Sequence, residues 1–303
     1  MKAARFSQFG GPEVLEIVEL PDPHAGPAQI RVTVHAAGIN PSDWKLRKGL
    51  MGGELPQTTG REVAGVVDEV GAGVTDAAVG DRVFGFSPGE VGAGAAELVV
   101  LSDYAPIPPS LGFVEAAALP VVIETATRSL DVLGFGARSS LLVNGATGGV
   151  GSAAVQLAVA RGARVIGTAS PANHDYLRSL GAEPVAYGEG LVARVRALAP
   201  AGVDAALDIA GSGVLPELIE LAGGPEHVVT IADFAGAQEH GVTFSRGDDA
   251  GRAVHAIAEI GELIESGRFS LPVAQTFPLA EIAEAHRVSE DGHTRGKLVL
   301  LIG

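Results

Sequence analysis

The stretch from Ser140 to Ser152, SLLVNGATGGVGS, constrains the fold more than any other part of the chain. An apolar run, Leu141-Leu142-Val143, enters a turn carrying Gly145, Gly148, Gly149 and Gly151. The segment leaving it, up to Arg161, is rich in alanine and spaces Val155, Leu157, Ala158 and Val159 as the buried face of a helix. The pattern predicts strand, tight turn, helix. Glycine is needed in such a turn because only a residue without a side chain lets backbone N–H groups close on a pyrophosphate. The next helix then aims its positive dipole end at the phosphates. The fingerprint G-x-G-x-x-G is present as Ala146-Thr147-Gly148-Gly149-Val150-Gly151, with alanine for the first glycine. Taken alone, such a motif also fits a glycine-rich structural turn.

The residues downstream of the turn favour nucleotide binding. A second apolar run, Ala163 to Ala169, comes at βαβ spacing, then a helical stretch around Tyr176–Leu180 and apolar runs at Val203–Ile209 and His227–Ala232. Strands alternating with helices predict a parallel, doubly wound sheet. With 303 residues, 47% of them hydrophobic, the chain has material for two domains. It has no cysteine, which rules out disulfides, thiolate zinc sites, iron–sulfur clusters and a cysteine nucleophile. A formal net charge of −15 argues against nucleic-acid and anionic-membrane partners. The N-terminal MKAARFSQFG lacks an apolar signal core and no apolar run reaches bilayer length, so a soluble, cytoplasmic protein is expected.

Residues 1 to 110 read as short strands punctuated by Gly and Pro, the pattern of a small barrel: Ile30–Val34, Val63–Val70, Phe84–Phe86 and Ala95–Leu101. Pro106, Pro108 and Pro109 mark a passage to the second domain, and Ala116–Leu133 predicts a helix entered or interrupted at Pro120. Past the nucleotide unit, Asp249–Ser266 predicts one amphipathic helix, with Val254, Ile257, Ile260, Leu263 and Ile264 in register. Leu271–Phe277 reads as strand, Leu279–Val288 as helix and Lys297–Ile302 as a closing strand. These last elements do not extend the βαβ series, so the chain is expected to return to its first domain. The expected division is 1–118 with 249–303 around an inserted 119–248.

Several motifs recur in a familiar order: Phe9-Gly10-Gly11-Pro12-Glu13-Val14-Leu15, Ala37-Gly38-Ile39-Asn40-Pro41-Ser42-Asp43, Gly60-x-Glu62-x-x-Gly65, Val70-Gly71-x-Gly73-Val74, Gly80-Asp81-x-Val83, Ala116-Ala117-Ala118-Leu119-Pro120 and Gly296-Lys297-Leu298-Val299-Leu300. Together with the glycine turn, they resemble the zinc-independent quinone oxidoreductase branch of the medium-chain dehydrogenase/reductase superfamily. The resemblance implies an α/β fold, a GroES-like β-barrel catalytic domain with an inserted Rossmann-type doubly wound parallel sheet. In that fold the two domains face each other across a cleft. Zinc-dependent relatives place Cys and His where this chain has Asn40 and Arg61. Amide and guanidinium cannot replace those ligands, so no metal is expected.

The second strand of the nucleotide unit ends Gly167-Thr168-Ala169-Ser170, with no carboxylate until Asp175. A carboxylate there would bond a ribose 2′-OH and repel a 2′-phosphate, so its absence favours NADPH. Ser170, Asn173 and His174 are candidate phosphate donors, although the loop has no Arg or Lys and Ser170 also reads as a turn residue before Pro171. The resemblance implies further cofactor contacts from Ala146, Thr147, Gly148, Gly149, Val150, Tyr187, Ala232, Phe234 and Lys297. It places Asn40 and Thr125 beside the nicotinamide, with an amide and a hydroxyl to offer. Asn40 also reads as a turn-forming residue before Pro41.

Lys45 is a candidate proton or hydrogen-bond donor, or else a surface cation. Trp44 is a candidate wall for an aromatic acceptor, or else a core anchor, and Asp43 either bonds locally or orients Lys45. No tyrosine proton donor is evident in the first domain's cleft-facing motif, which makes solvent a second possible source. Two departures from the family pattern are Glu124 beside Thr125 and Thr127 where a large residue is common. Glu124 either pairs with Arg128 one turn on or changes the polarity of the cleft. The function implied is hydride transfer from NADPH to a quinone or α,β-unsaturated carbonyl, against a non-catalytic NADPH-binding or structural protein of the same fold. A homodimer is expected through His227–Ala232, taken as a sheet edge.

Overall fold

The computed structural model describes residues 1–88, 93–247, 251–292 and 294–303. The chain divides into two compact units: Met1–Val121 with Ile257–Ser266 and Leu271–Gly303, and Val122–Ala256 with Gly267–Ser270.

The chain begins with β1 (Lys2–Phe6), β2 (Glu16–Glu19), β3 (Ile30–Ile39), α1 (Pro41–Arg47), β4 (Gln57–Thr58) and β5 (Glu62–Val70). It continues through β6 (Arg82–Phe86), β7 (Leu98–Leu101), β8 (Asp103–Pro106) and α2 (Phe113–Ala117). α3 (Pro120–Leu133) leads to β9 (Ser140–Asn144), α4 (Gly149–Ala160), β10 (Arg164–Thr168), α5 (His174–Ser179), β11 (Ala182–Val185) and α6 (Leu191–Leu198). Then come β12 (Ala205–Asp208), α7 (Leu215–Ala222), β13 (Val228–Thr230), α8 (Phe234–His240) and β14 (Thr243–Phe244). α9 (Ala256–Glu259), α10 (Gly261–Glu265), β15 (Val273–Pro278), α11 (Ile282–Asp291) and β16 (Lys297–Leu301) close the chain.

In the first unit β3 is the hub. Its alternation buries Ile30, Val32 and Val34 while Thr33 and His35 face out, as one covered sheet face requires. It pairs antiparallel with β5 along most of its length, with β7 at Ile30–Thr33 and with β16 at Ala36–Ile39. The main sheet runs β15-β16-β3-β5-β6-β8, and β2-β1-β4 forms a smaller one. One apolar core, including Ile30, Val32, Val67, Leu101, Phe277 and Leu300, fills this unit.

The second unit carries six parallel strands in the order β11-β10-β9-β12-β13-β14. The strands read as continuous apolar runs because helices cover both faces; Leu141, Leu142 and Val143 of β9 have no exposed surface. The chain winds outward from β9 to β11, then returns to β12 on the other side. The order therefore reverses at the carboxyl ends of β9 and β12, where such sheets bind ligands.

Two expectations are corrected. The strand containing Val228–Thr230 is not the sheet edge, because β14 pairs outside it. Two residues carry too little pattern to be read as a strand. The single helix expected over 249–266 is two short ones, α9 and α10, and Asp249 lies outside the described residues. Gly251 and Gly261 weaken helix there, and the chain passes from one unit to the other at Ala256–Ile257. Ile257 and Ile260 are nevertheless buried, as their spacing required.

Candidate functional site

The glycine turn joins β9, near the middle of the parallel sheet, to α4. Gly145 takes φ +82°, a left-handed conformation, and its N–H donates to Thr168 Oγ1 at 2.9 Å. A Cβ on Gly151 would lie 2.2 Å from the Gly145 carbonyl oxygen, so only glycine lets the first turn of α4 sit against the strand end. Gly148 is different. It is extended (φ −71°, ψ 176°), and a Cβ there would meet nothing nearer than the Gly145 oxygen at 4.0 Å. No side chain caps α4, which leaves its first N–H groups to an anion. The cradle fits a dinucleotide pyrophosphate. Gly148→Ala is accordingly expected to leave the melting temperature within about 2 °C of wild type and to weaken binding of a nicotinamide dinucleotide about tenfold, roughly 1.4 kcal/mol, as read by calorimetric titration.

Beneath the turn lies a buried polar network. Thr168 Oγ1 donates to Asn144 Oδ1 (2.8 Å), and Asn144 Nδ2 donates to Asp208 Oδ1 (2.9 Å). Asp208 also accepts from Gly211 N–H (3.0 Å) and from Thr230 Oγ1 (2.8 Å), whose oxygen accepts the N–H groups of Ala232 and Asp233. Burial pushes the Asp208 carboxyl above the usual carboxylate range, and the hydrogen bonds from Asn144 and Thr230 pull the other way. The network ties together the turns at the ends of β9, β12 and β13. Each strand from β9 to β13 other than β11 ends on one of these polar residues, a regularity that the sequence carries in plain form at Asn144, Thr168, Asp208 and Thr230.

At the end of β10, Ser170 and Asn173 are half-buried and bonded to each other, Asn173 Nδ2 donating to Ser170 Oγ at 3.2 Å. His174 is half-buried, and its Nε2 has no partner among the described residues. Asp175 points away, its side chain 97% exposed and paired with Arg178. Tyr187 is exposed. Its loop is held by a residue that sequence reasoning missed, Arg194, whose guanidinium donates to the carbonyl oxygens of Ala186, Tyr187, Gly188 and Glu189. Phe234 opens α8, where the Asp233 carboxylate caps Gly236 N–H at 2.8 Å. Its ring meets Phe244 edge-on at 5.3 Å and lies under the Arg246 guanidinium. On α3, Thr125 Oγ1 donates to Glu124 (3.2 Å), and Glu124 pairs with Arg128 Nε at 2.7 Å. Of the two readings of Glu124, the helix pair is the one formed.

In the first unit, Asn40 immediately precedes α1 and is buried. Its Nδ2 donates to Glu62 Oε1 (2.8 Å) and its Oδ1 accepts from Lys297 Nζ (2.7 Å). Lys297 also donates to Glu62 Oε1 (2.6 Å) and to the Ile39 carbonyl oxygen (2.9 Å), so all three ammonium hydrogens are committed and none remains for a cofactor. Asp43 bonds locally: its carboxylate accepts from Asn40 N–H, Thr59 Oγ1 and Gly60 N–H, fixing the start of α1. Lys45 is not among its partners; its ammonium lies 5.7 Å from the half-buried Trp44 ring. Arg61 is half-buried with Nε unpaired among the described residues, and those residues hold no group of three or more His, Cys, Asp or Glu able to share a metal.

Residues 26–108 match the family described as alcohol dehydrogenase GroES-like domain, and residues 180–300 match zinc-binding dehydrogenase. The chain is 31% identical to the chloroplast envelope quinone oxidoreductase homolog of Arabidopsis thaliana, over 99% of this chain and 98% of that protein. The chain belongs to the quinone oxidoreductase branch of the medium-chain dehydrogenase/reductase superfamily. A solved member, the quinone oxidoreductase from Coxiella burnetii, superposes with a TM-score of 0.85 at 31% identity, over 100% of this chain and 99% of that one. The chain is also 36% identical to the spectinabilin polyketide synthase system protein NorB of Streptomyces orinoci, over 98% of its own length but only 14% of NorB. A stretch of 177 residues, 56% of this chain and 53% of Rattus norvegicus quinone oxidoreductase, is 42% identical between the two. No helix among the described residues is long and apolar enough to cross a membrane.

Proposed function

We propose that this family member is an NADPH-dependent reductase that transfers hydride to a quinone or an α,β-unsaturated carbonyl without zinc. The observation that carries the reading is the cradle, open at Gly148 and closed by necessity at Gly151, with an uncapped helix behind it. NADPH over NADH is supported by the absence of a carboxylate between Ser170 and His174. A similar mycobacterial protein solved in complex with NADPH points the same way. The acceptor class is supported by the rat quinone oxidoreductase and by 31% identity to the 2-methylene-furan-3-one reductase of Solanum lycopersicum, a reductase named for an enone.

When bound, the reduced nicotinamide supplies the hydride. Gly148 and the first N–H groups of α4 would hold the pyrophosphate, with Ser170, Asn173 and His174 offered to the 2′-phosphate. The Asn144–Asp208–Thr230 network keeps the surrounding turns in place before anything binds. Asn40 meets the acceptor oxygen with an amide N–H as negative charge develops on it, a donor fixed in advance. Asp43 orients the start of α1, and Lys45 or solvent returns the proton. A cytoplasmic protein is the state this reading expects; a homodimer through His227–Ala232 loses its stated ground, because β14 pairs outside that strand.

The reading is tested by measuring oxidation of NADPH and NADH by protein dialysed against a chelator. The acceptors are menadione, 9,10-phenanthrenequinone and 2-alkenals. Turnover of at least one acceptor, faster with NADPH, is expected. NADPH binding with no acceptor consumed would leave a non-catalytic nucleotide-binding protein instead.

A further inference from the structure

Asn40 is held from both sides of its amide, and the consequence drawn from that here rests on the reading of Asn40 as the group that meets the acceptor oxygen. A carboxamide presents donors on one side and an acceptor on the other, and a half-turn about its last torsion exchanges them. In this chain the chemistry of the neighbours forbids the exchange. An ammonium can only donate, so the amide oxygen faces Lys297 Nζ at 2.7 Å, and the Nδ2 faces the Glu62 carboxylate at 2.8 Å. The flipped amide would set N–H against ammonium and oxygen against carboxylate, with Lys297 and Glu62 side chains only 5% and 0% exposed.

The two anchors are themselves fixed. Glu62 Oε2 accepts the Val121 N–H at 2.7 Å, while Oε1 takes both Asn40 and Lys297. Lys297 opens β16, and its next residue, Leu298, pairs with Ile39 beside Asn40. A Cβ at Gly38 would lie 2.2 Å from Glu62 Oε1 and 2.6 Å from the Ala117 carbonyl oxygen, so the carboxylate occupies room that only glycine leaves. Of the Asn40 amide, a single N–H remains without a partner among the described residues.

We infer that Lys297 and Glu62 are positioning residues that hold Asn40 as a donor-only group, so that the site selects ligands presenting an acceptor oxygen, such as a quinone or enone carbonyl. Neither side chain touches the reacting atoms. Lys297, with every ammonium hydrogen committed, contributes nothing to cofactor affinity.

The test compares wild type with Lys297→Met, and with the Lys297→Met/Glu62→Gln pair in case the single variant strands a buried carboxylate and fails to fold. The first readout needs no turnover: the Asn40 side-chain amide pair in a 15N–1H spectrum, assigned by its loss in Asn40→Ala. In wild type the two hydrogens are expected at distinct shifts, the one bonded to Glu62 protected from solvent exchange; in the variants both are expected to move and the protected one to exchange at least tenfold faster. The second readout is kinetic, a fall of about tenfold or more in kcat on menadione with the NADPH Kd within twofold of wild type. An unmoved Asn40 pair, an unchanged kcat, or a tenfold weaker NADPH Kd would each overturn the inference. Wild-type protein that binds NADPH but reduces no acceptor would instead sink the functional reading, with the amide spectrum still deciding whether Asn40 is held.

Discussion

Glu124→Ala is expected to lower the unfolding free energy by about 3–5 kcal/mol, the usual cost of stranding one member of a buried ion pair. Arg128 donates to both Glu124 oxygens, Nε at 2.7 Å and Nη2 at 3.3 Å, and both side chains are only 7% exposed. With the carboxylate gone, the guanidinium keeps Ser245 Oγ as its one hydrogen-bond partner among the described residues. The Ala253 N–H loses its acceptor as well. Replacing both charges, Glu124→Met with Arg128→Leu, is expected to cost less than the single change, because no charge is then left buried alone. Urea denaturation of the three proteins checks this. A single variant no less stable than the double would mean that the pair is solvated in solution.

Lowering the pH from about 7.5 to about 5 is expected to remove roughly 2 kcal/mol of stability through His286 alone, rising to about 3 kcal/mol below pH 4. His286 on α11 has no exposed surface, and neither ring nitrogen has a partner among the described residues. Burial pushes its pKa down to about 4 from 6.5; Asp43 and Glu290 pull it up, and Arg47 adds to the downward push. Between those two values the unfolded chain binds a proton that the folded chain refuses. Stability therefore falls as the pH drops through that window and levels off beneath it.

The neighbouring Glu290 carboxyl is shifted as well. Burial would raise it, but hydrogen bonds from Lys48 and Arg47 outweigh that and hold it below the usual carboxylate range. In His286→Leu the change in unfolding free energy from urea denaturation between the two pH values is expected to shrink by most of that roughly 2 kcal/mol. An undiminished change would show that other groups carry the acid sensitivity.

The parts of this protein legible in its sequence are those that short-range covalent geometry dictates. The turn at Gly145–Gly151 could be read because positive φ and a 2.2 Å clash are demands that only certain residues satisfy, wherever the rest of the chain lies. The buried runs at Leu141–Val143 and Ala205–Leu207 were legible for a related reason, since strands covered on both faces admit little but apolar residues. What could not be read is carried by partners far apart in the chain. Asn40 also fits a turn residue until Glu62, and Lys297 257 positions away, are found against its amide. Glu124 has two readings until Ser245 and Ala253 close around its pair. The helix expected across 249–266 fails where periodicity alone runs on through Gly261 and across a change of unit. Arg194 gives no local sign, because it bonds carbonyl oxygens, which every residue has.

The most direct test is to trace the hydride itself. Chelator-dialysed protein is incubated with NADPH deuterated at C4, on one face and then the other, together with a 2-alkenal, and the product is weighed by mass spectrometry. One deuterium on the β-carbon of the saturated aldehyde, delivered from one face only, is the result predicted. Product without deuterium from either face, or deuterium transfer that appears only when zinc is restored, would contradict the account.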